Sequence, residues 1–153
     1  MDKQIRLDEV GIFGGKVRFL IPHEWVEGED ESNTYLYHAP ETDSGWLRVS
    51  LITTKTNEPD KQVRCLFSDS DTIFTSEKQG NVVKQSEKSS VQEGTQIYIY
   101  NWQVANVVLP SCIFQAVFSY TILAERREEK QTQETVALLG KLVSEAIFSN
   151  GLQ

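Results

Sequence analysis

The sequence predicts one α+β domain built on an antiparallel β-sheet. Three observations carry this. Thr95 to Ala105 and Ser111 to Leu123 are rich in β-branched and aromatic residues, and a short loop at Pro110 joins them. Strands so connected pair antiparallel. Thr132 to Phe148 places Val136, Leu139, Val143, Ala146 and Ile147 on one helical stripe, widened by Leu138 and Leu142. That stripe needs an apolar partner, and the sheet is the large one available.

The remaining elements follow in order. Val10 to Phe13 and Lys16 to Ile21 flank Gly14-Gly15, a pair suited to a tight hairpin turn. Val17, Phe19 and Ile21 alternate with charged neighbours, and Pro22 closes the strand. Thr34 to Ala39 is a short aromatic strand, and Trp46 to Thr53 a strong one. Leu47, Val49 and Leu51 alternate there with Trp46, Arg48, Ser50 and Ile52, which predicts a central strand at least partly covered on both sides. From Asp60 to Lys78, Val63, Leu66, Phe67, Ser70, Ile73 and Phe74 recur at helical spacing, with Gly80 as a stop. The Asp69 to Asp71 stretch offers an alternative, a short helix and a loop. Val82 to Ser90 is polar and suits an edge strand. In Thr95 to Ala105, Tyr98, Tyr100, Trp102 and Val104 share one face, opposite Ile97, Ile99 and Asn101. The 153 residues fit one domain, spanning 1–153, with a core that needs no disulfide or metal.

A net charge of −7, from 22 acids against 15 bases, repels phosphate backbones and anionic lipid, so neither nucleic acid nor membrane is the expected partner. The N-terminus begins Met1-Asp2-Lys3-Gln4 without a signal-like apolar stretch, and no run approaches a membrane span. The expectation is a cytoplasmic protein with Cys65 and Cys112 reduced, acting as small buried hydrophobes.

Chemical motifs are few. Gly14-Gly15 lacks the lysine or helix that makes a phosphate loop. His23 and His38 have no cysteine or second histidine at metal-ligand spacing, and the acidic stretches Glu27 to Glu31 and Asp69 to Asp71 lack the spaced carboxylates of a calcium loop. No signature joins Cys65 or Cys112 to a base. The expectation is no enzyme, no cofactor and no metal. Aromatics instead collect on the predicted sheet: Tyr35, Tyr37, Trp46, Tyr98, Tyr100, Trp102, Phe114, Phe118 and Tyr120. They form a core beneath the helices, or part of them forms an exposed interface patch; both readings stand.

The order of elements carries a resemblance. A hairpin leads into Phe19-Leu-Ile-Pro-His-Glu-Trp25; then come Trp46-Leu-Arg-Val-Ser-Leu51, a helix, antiparallel strands ending in Phe118-Ser-Tyr-Thr-Ile122, and a C-terminal helix. This resembles the Mog/PsbP-like fold family over most of the chain, and looks most similar to its uncharacterised bacterial members; the resemblance implies an antiparallel β-sheet flanked by helices, an α/β/α sandwich. The resemblance implies a binding or accessory role, because characterised members act mainly by binding partners. The expected function is therefore a non-enzymatic protein-binding module, one version being a bacterial immunity-type protein that caps a basic toxin. Trp46, Tyr98, Tyr100 and Trp102 are its candidate anchors, with Glu29 and Asp30 steering the basic partner. The alternative is a small-ligand binder with a pocket between the Asp60 to Lys78 helix and the sheet.

Overall fold

The computed structural model describes residues 6–28, 34–40, 45–67 and 73–150. Among these, the order is β1 (Leu7–Ile12), β2 (Val17–Pro22), β3 (Val26–Gly28), β4 (Thr34–His38), β5 (Trp46–Lys55), α1 (Pro59–Cys65), β6 (Ile73–Thr75), β7 (Val82–Gln92), β8 (Thr95–Val108), β9 (Cys112–Leu123), α2 (Lys130–Ser144) and β10 (Ile147–Phe148). A 3-10 turn over Ala124–Arg126 precedes α2. Seven strands form an antiparallel sheet in the order β3-β4-β5-β9-β8-β7-β6, and β1-β2-β10 form a second, smaller one.

The alternation in β8 and β9 sets the large sheet's two faces. Trp102 lies opposite Phe118 and Tyr100 opposite Tyr120 across the β8–β9 ladder, and all four are buried. This inner face carries the main core. From the small sheet, Phe19 meets Phe118 and Tyr37 edge-on, with ring centroids 5.2 and 6.0 Å apart. From α2, Leu139 and Val143 are fully buried in the same cluster. Side chains of this size each contribute roughly 1.5–3 kcal/mol on full burial, so this one face supplies most of the driving force. A glycine on the helix makes room for the largest side chain: a Cβ on Gly140 would lie 3.2 Å from Trp102 Nε1.

The two faces of the large sheet are covered unequally. Helix α1 packs on the outer face, but only at one end, where Val63 meets Ala105 and Ile113. The expectation of a central β5 at least partly covered on both sides holds for its position, while its outward cover is slight. It is central, between β4 and β9, yet its outward Arg48 and Ile52 are exposed. Among the described residues the polar β7 pairs with β6 only over Val82–Lys84, and the charged and serine-rich residues along the rest of that edge discourage strand addition.

Three expectations about elements change. The Asp60 to Lys78 helix is shorter: α1 ends at Cys65, and Ile73–Thr75 pair with β7 as a strand. Gly80, at φ +69°, serves the β6–β7 connection rather than a helix end. The C-terminal helix stops at Ser144, and Ile147 and Phe148 pair with Arg18 and Val17 as a strand. The first hairpin turns over four residues, Phe13 to Lys16, with positive φ at Phe13, Gly14 and Gly15.

One buried polar residue locks the end of α2 to the sheet. The Asn81 side-chain amide donates to the carbonyls of Ser144 and Ala146 at 2.9 and 2.7 Å, and its oxygen accepts from Asn106 at 2.8 Å. Nearby, the Glu145 carboxylate accepts the backbone N–H groups of Lys78 and Gln79. Burial would raise its pKa, but those two donors, the Ser76 hydroxyl and the Lys78 charge together hold it below the usual range.

Candidate functional site

The proposed anchors separate onto opposite faces of the sheet. Tyr98, Tyr100 and Trp102 point inward and are buried, so the shared aromatic surface expected of them is absent. Their parity on β8 aims them at the core that α2 and the small sheet close. The Tyr98 hydroxyl donates to Glu87 at 2.6 Å, and the Arg127 guanidinium lies 4.1 Å from its ring centroid. The hydrogen bond to Glu87 is the leading cause of a raised Tyr98 pKa; burial is the leading cause for Tyr100. Trp46 alone of the four points outward, 42% exposed. Glu29 and Asp30 lie outside the described residues.

Trp46 has a built seat. It pairs with His38 across the β4–β5 ladder, the two rings 4.3 Å apart between centroids. His38 in turn pairs with Val26, which is exposed. Gly28 lies under the indole; a Cβ there would come 3.3 Å from Trp46 Cζ3 and 3.2 Å from Leu36 Cδ2. A half-exposed tryptophan with its rotamer fixed by neighbours loses little entropy on binding, which suits an interface anchor. Farther along β5 on the same face, Ile52 is also exposed. Between these apolar points the face is polar: Ser119 donates to Asn101 at 3.0 Å, and Gln115 to Gln103 at 3.1 Å.

Sequence reasoning missed His38, Gly28 and the outward lysines of β7 as neighbours of this surface. Each sits in an alternating segment, but only the strand order brings β3, β4 and β7 onto one sheet.

A second concavity lies on the other side of the molecule. A half-open groove of about 880 Å³ is lined by Phe19, Leu20, Phe74, Val136, Gly140 and Ile147, together with charged residues from both walls. It lies against α2, whereas the expected pocket was between the Asp60 to Lys78 helix and the sheet; only the stretch from Phe74 to Lys78 is common to both. Its charges balance, with Arg18, Lys78 and Lys141 against Glu9, Glu77 and Glu145.

Catalytic groupings are sparse. Among the described residues no three His, Cys, Asp or Glu side chains gather as metal ligands. His23 contacts Asp8 at 2.9 Å on the exposed hairpin, and His38 Nδ1 lies 2.7 Å from the Ala39 carbonyl. The cysteines are unpaired; Cys65 is exposed and Cys112 half-buried, so neither is the buried apolar filler the sequence suggested. No helix among the described residues is long and apolar enough to cross a membrane.

Solved structures share this arrangement of strands and helices. A crystal structure from Bacteroides thetaiotaomicron VPI-5482 matches 92% of the chain at 16% identity with a TM-score of 0.63; the chain spans 47% of that protein, about half its length. The Ran-binding protein Mog1p of Saccharomyces cerevisiae matches 95% of the chain and 96% of its own length at 13% identity, TM-score 0.55. The chain has the Mog/PsbP-like fold. LpqN of Mycobacterium tuberculosis, involved in cell envelope biogenesis, shares this fold with it at 12% identity and a TM-score of 0.55, covering 94% of this chain and 91% of its own. No protein-family model and no curated protein matches the sequence. A Mog/PsbP-like fold at such identities transfers the architecture, and function must be argued from surfaces.

Proposed function

We propose that this protein is a non-enzymatic protein-binding module that docks its partner on the outer face of the seven-stranded sheet, with Trp46 as the anchor. The observation that carries this is the seat of Trp46: an exposed indole held by Gly28, Leu36 and His38 on a face that α1 covers only at one end. Exposed apolar side chains in a polar surround are the usual composition of a docking surface. Mog1p, which has the same fold, is a Ran-binding protein, a precedent for protein recognition by this architecture. Whether the module is of the immunity type or another accessory type is read from its partner.

The test is affinity capture with the tagged protein and a doubly substituted Trp46→Ala, Ile52→Asp variant. A stoichiometric partner held by the wild type and lost by the folded variant is expected. Retention of that partner by the variant would remove the outer face as the docking surface.

The groove beside α2 supports a second reading, a binder of small apolar molecules, because its volume lies within the ordinary range of ligand pockets and three exposed apolar side chains, Leu20, Phe74 and Ile147, line it. A thermal-shift screen against neutral apolar compounds tests it; a hit abolished by Phe74→Asp is the expected result, and an empty screen sinks it.

A further inference from the structure

The charges on the strands are segregated by face. The described strands carry four carboxylates, Asp8, Glu9, Glu27 and Glu87. Asp8 and Glu9 belong to the small sheet, while Glu27 and Glu87 accept from the inward hydroxyls of Tyr37 and Tyr98. None of them faces outward on the large sheet. The register places Arg48, Lys84 and Lys88 there instead, since each pairs with an outward partner: Ser119, Gln103 and Ile99. Arg48 already engages another group. Lys84 and Lys88 pair with no carboxylate among the described residues, which matters in a chain of net charge −7.

We propose that the partner docked on this face is an acidic protein segment, with carboxylates that meet Lys84 and Lys88 and an apolar side chain that covers Trp46. The proposal rests on the docking reading above and adds the partner's chemistry, opposite in sign to the basic partner expected from overall charge. Trp46, Thr121, Ile99 and Lys88 lie in one cross-strand row, so about 14 Å separates the indole from Lys88 at ordinary strand spacing. Lys84 and Lys88 are four residues apart on one strand, roughly 13 Å. A single extended segment spans each distance. Asn101 and Ser119, bonded to each other, and Gln103, bonded to Gln115, lie on the same face beside Ile99 and Val117. Matching local charge steers such an encounter even when the net charges of the two proteins are alike. A nucleic acid fits less well, because the whole chain repels a polyanion and two free lysines release few counterions.

The test is a two-dimensional amide and indole NMR titration with a short alternating Glu–Leu peptide. Its lysine counterpart and a single-stranded oligonucleotide are run alongside. The expected result is shifts at Lys84, Lys88 and the Trp46 indole with the acidic peptide, and affinity lowered about tenfold or more in a Lys84→Glu, Lys88→Glu variant whose melting is unchanged. No shifts, shifts confined to other surfaces, an equal response to the basic peptide or oligonucleotide, or unchanged affinity in the charge-reversed variant would each overturn the proposal. The captured partner separates this failure from that of the docking surface itself. Loss with Trp46→Ala but retention with Lys84→Glu, Lys88→Glu removes only the acidic chemistry; retention in both removes the surface.

Discussion

The ring of Trp46 rests on Gly28, so close that a Cβ at that glycine would lie 3.3 Å from Cζ3. The contact is tight enough that a methyl group must displace something. Trp46 is the neighbour free to give, because its other side faces solvent. Gly28→Ala is therefore expected to lift the indole off its seat against His38 and weaken partner binding several-fold, while stability changes by less than about 1 kcal/mol. Trp46→Ala should weaken binding further, by about 2 kcal/mol or more if the indole is the central anchor. Calorimetric titration beside a denaturant melt distinguishes these effects, and equal binding by both variants contradicts the anchor role.

Trp102 makes the opposite case. It is fully buried against the region of α2 around Gly140, so Trp102→Ala removes core volume and no surface contact. A loss of about 3–5 kcal/mol in urea unfolding is expected. If the variant still folds, its partner affinity should match the wild type. Gly140→Ala should destabilise through the same contact, because its new methyl would press on the indole nitrogen from a helix that also packs on the core.

Asn81→Ala should be costly for a different reason. The side chain donates to two buried carbonyls at the end of α2 and accepts from the half-buried Asn106. Truncation leaves buried polar groups without partners, at about 3 kcal/mol or more. Hydrogen exchange should show the residues around Ser144 to Phe148 opening first, since Asn81 ties that segment to β7. Uniform loss of protection would instead mean that the clip has no local role.

Much of the fold was legible because its signals were local. Alternation from Tyr98 to Val104, the β-branched and aromatic run from Ser111 to Leu123 and the short loop between them identified two strands that pair antiparallel. The errors arose where local and long-range signals conflict. Ile73 and Phe74 continue a helical spacing from Val63, yet pairing with Lys84 and Val83 draws them into the sheet. Ile147 continues the α2 stripe, but pairing with Arg18 pulls it out of the helix. The site was half legible. Parity separated Trp102 from Ile99 on β8, but which face a helix would cover is fixed by distant packing, so the exposed aromatic could not be chosen among Trp46, Tyr98, Tyr100 and Trp102. The lysines of β7 read as a solvated edge until the strand order aligned them with Trp46.

Stability should fall at both ends of the pH scale, through different groups. Glu145 has a carboxyl pKa held below its ordinary value by the Lys78 and Gln79 amides, so it binds fewer protons in the folded chain than in the unfolded one. Its contribution is present above the ordinary glutamate pKa, about 4.3, and is lost as pH falls through the lower folded value. Glu145→Gln should therefore flatten the acid limb while lowering stability at neutral pH. At the alkaline end, Tyr98 and Tyr100 have raised pKa values, the first chiefly through its bond to Glu87 and the second chiefly through burial. Their neutral forms are favoured in the folded chain, so that stability is full below about pH 10 and declines as pH rises through the folded values. Glu87→Gln removes the acceptor charge beside Tyr98, so that hydroxyl should ionise at lower pH in the folded chain and the alkaline limb should be shallower. Urea melts across the pH range, with tyrosinate absorbance followed in parallel, check both limbs; an alkaline limb unmoved in Glu87→Gln would show that Tyr98 does not govern it.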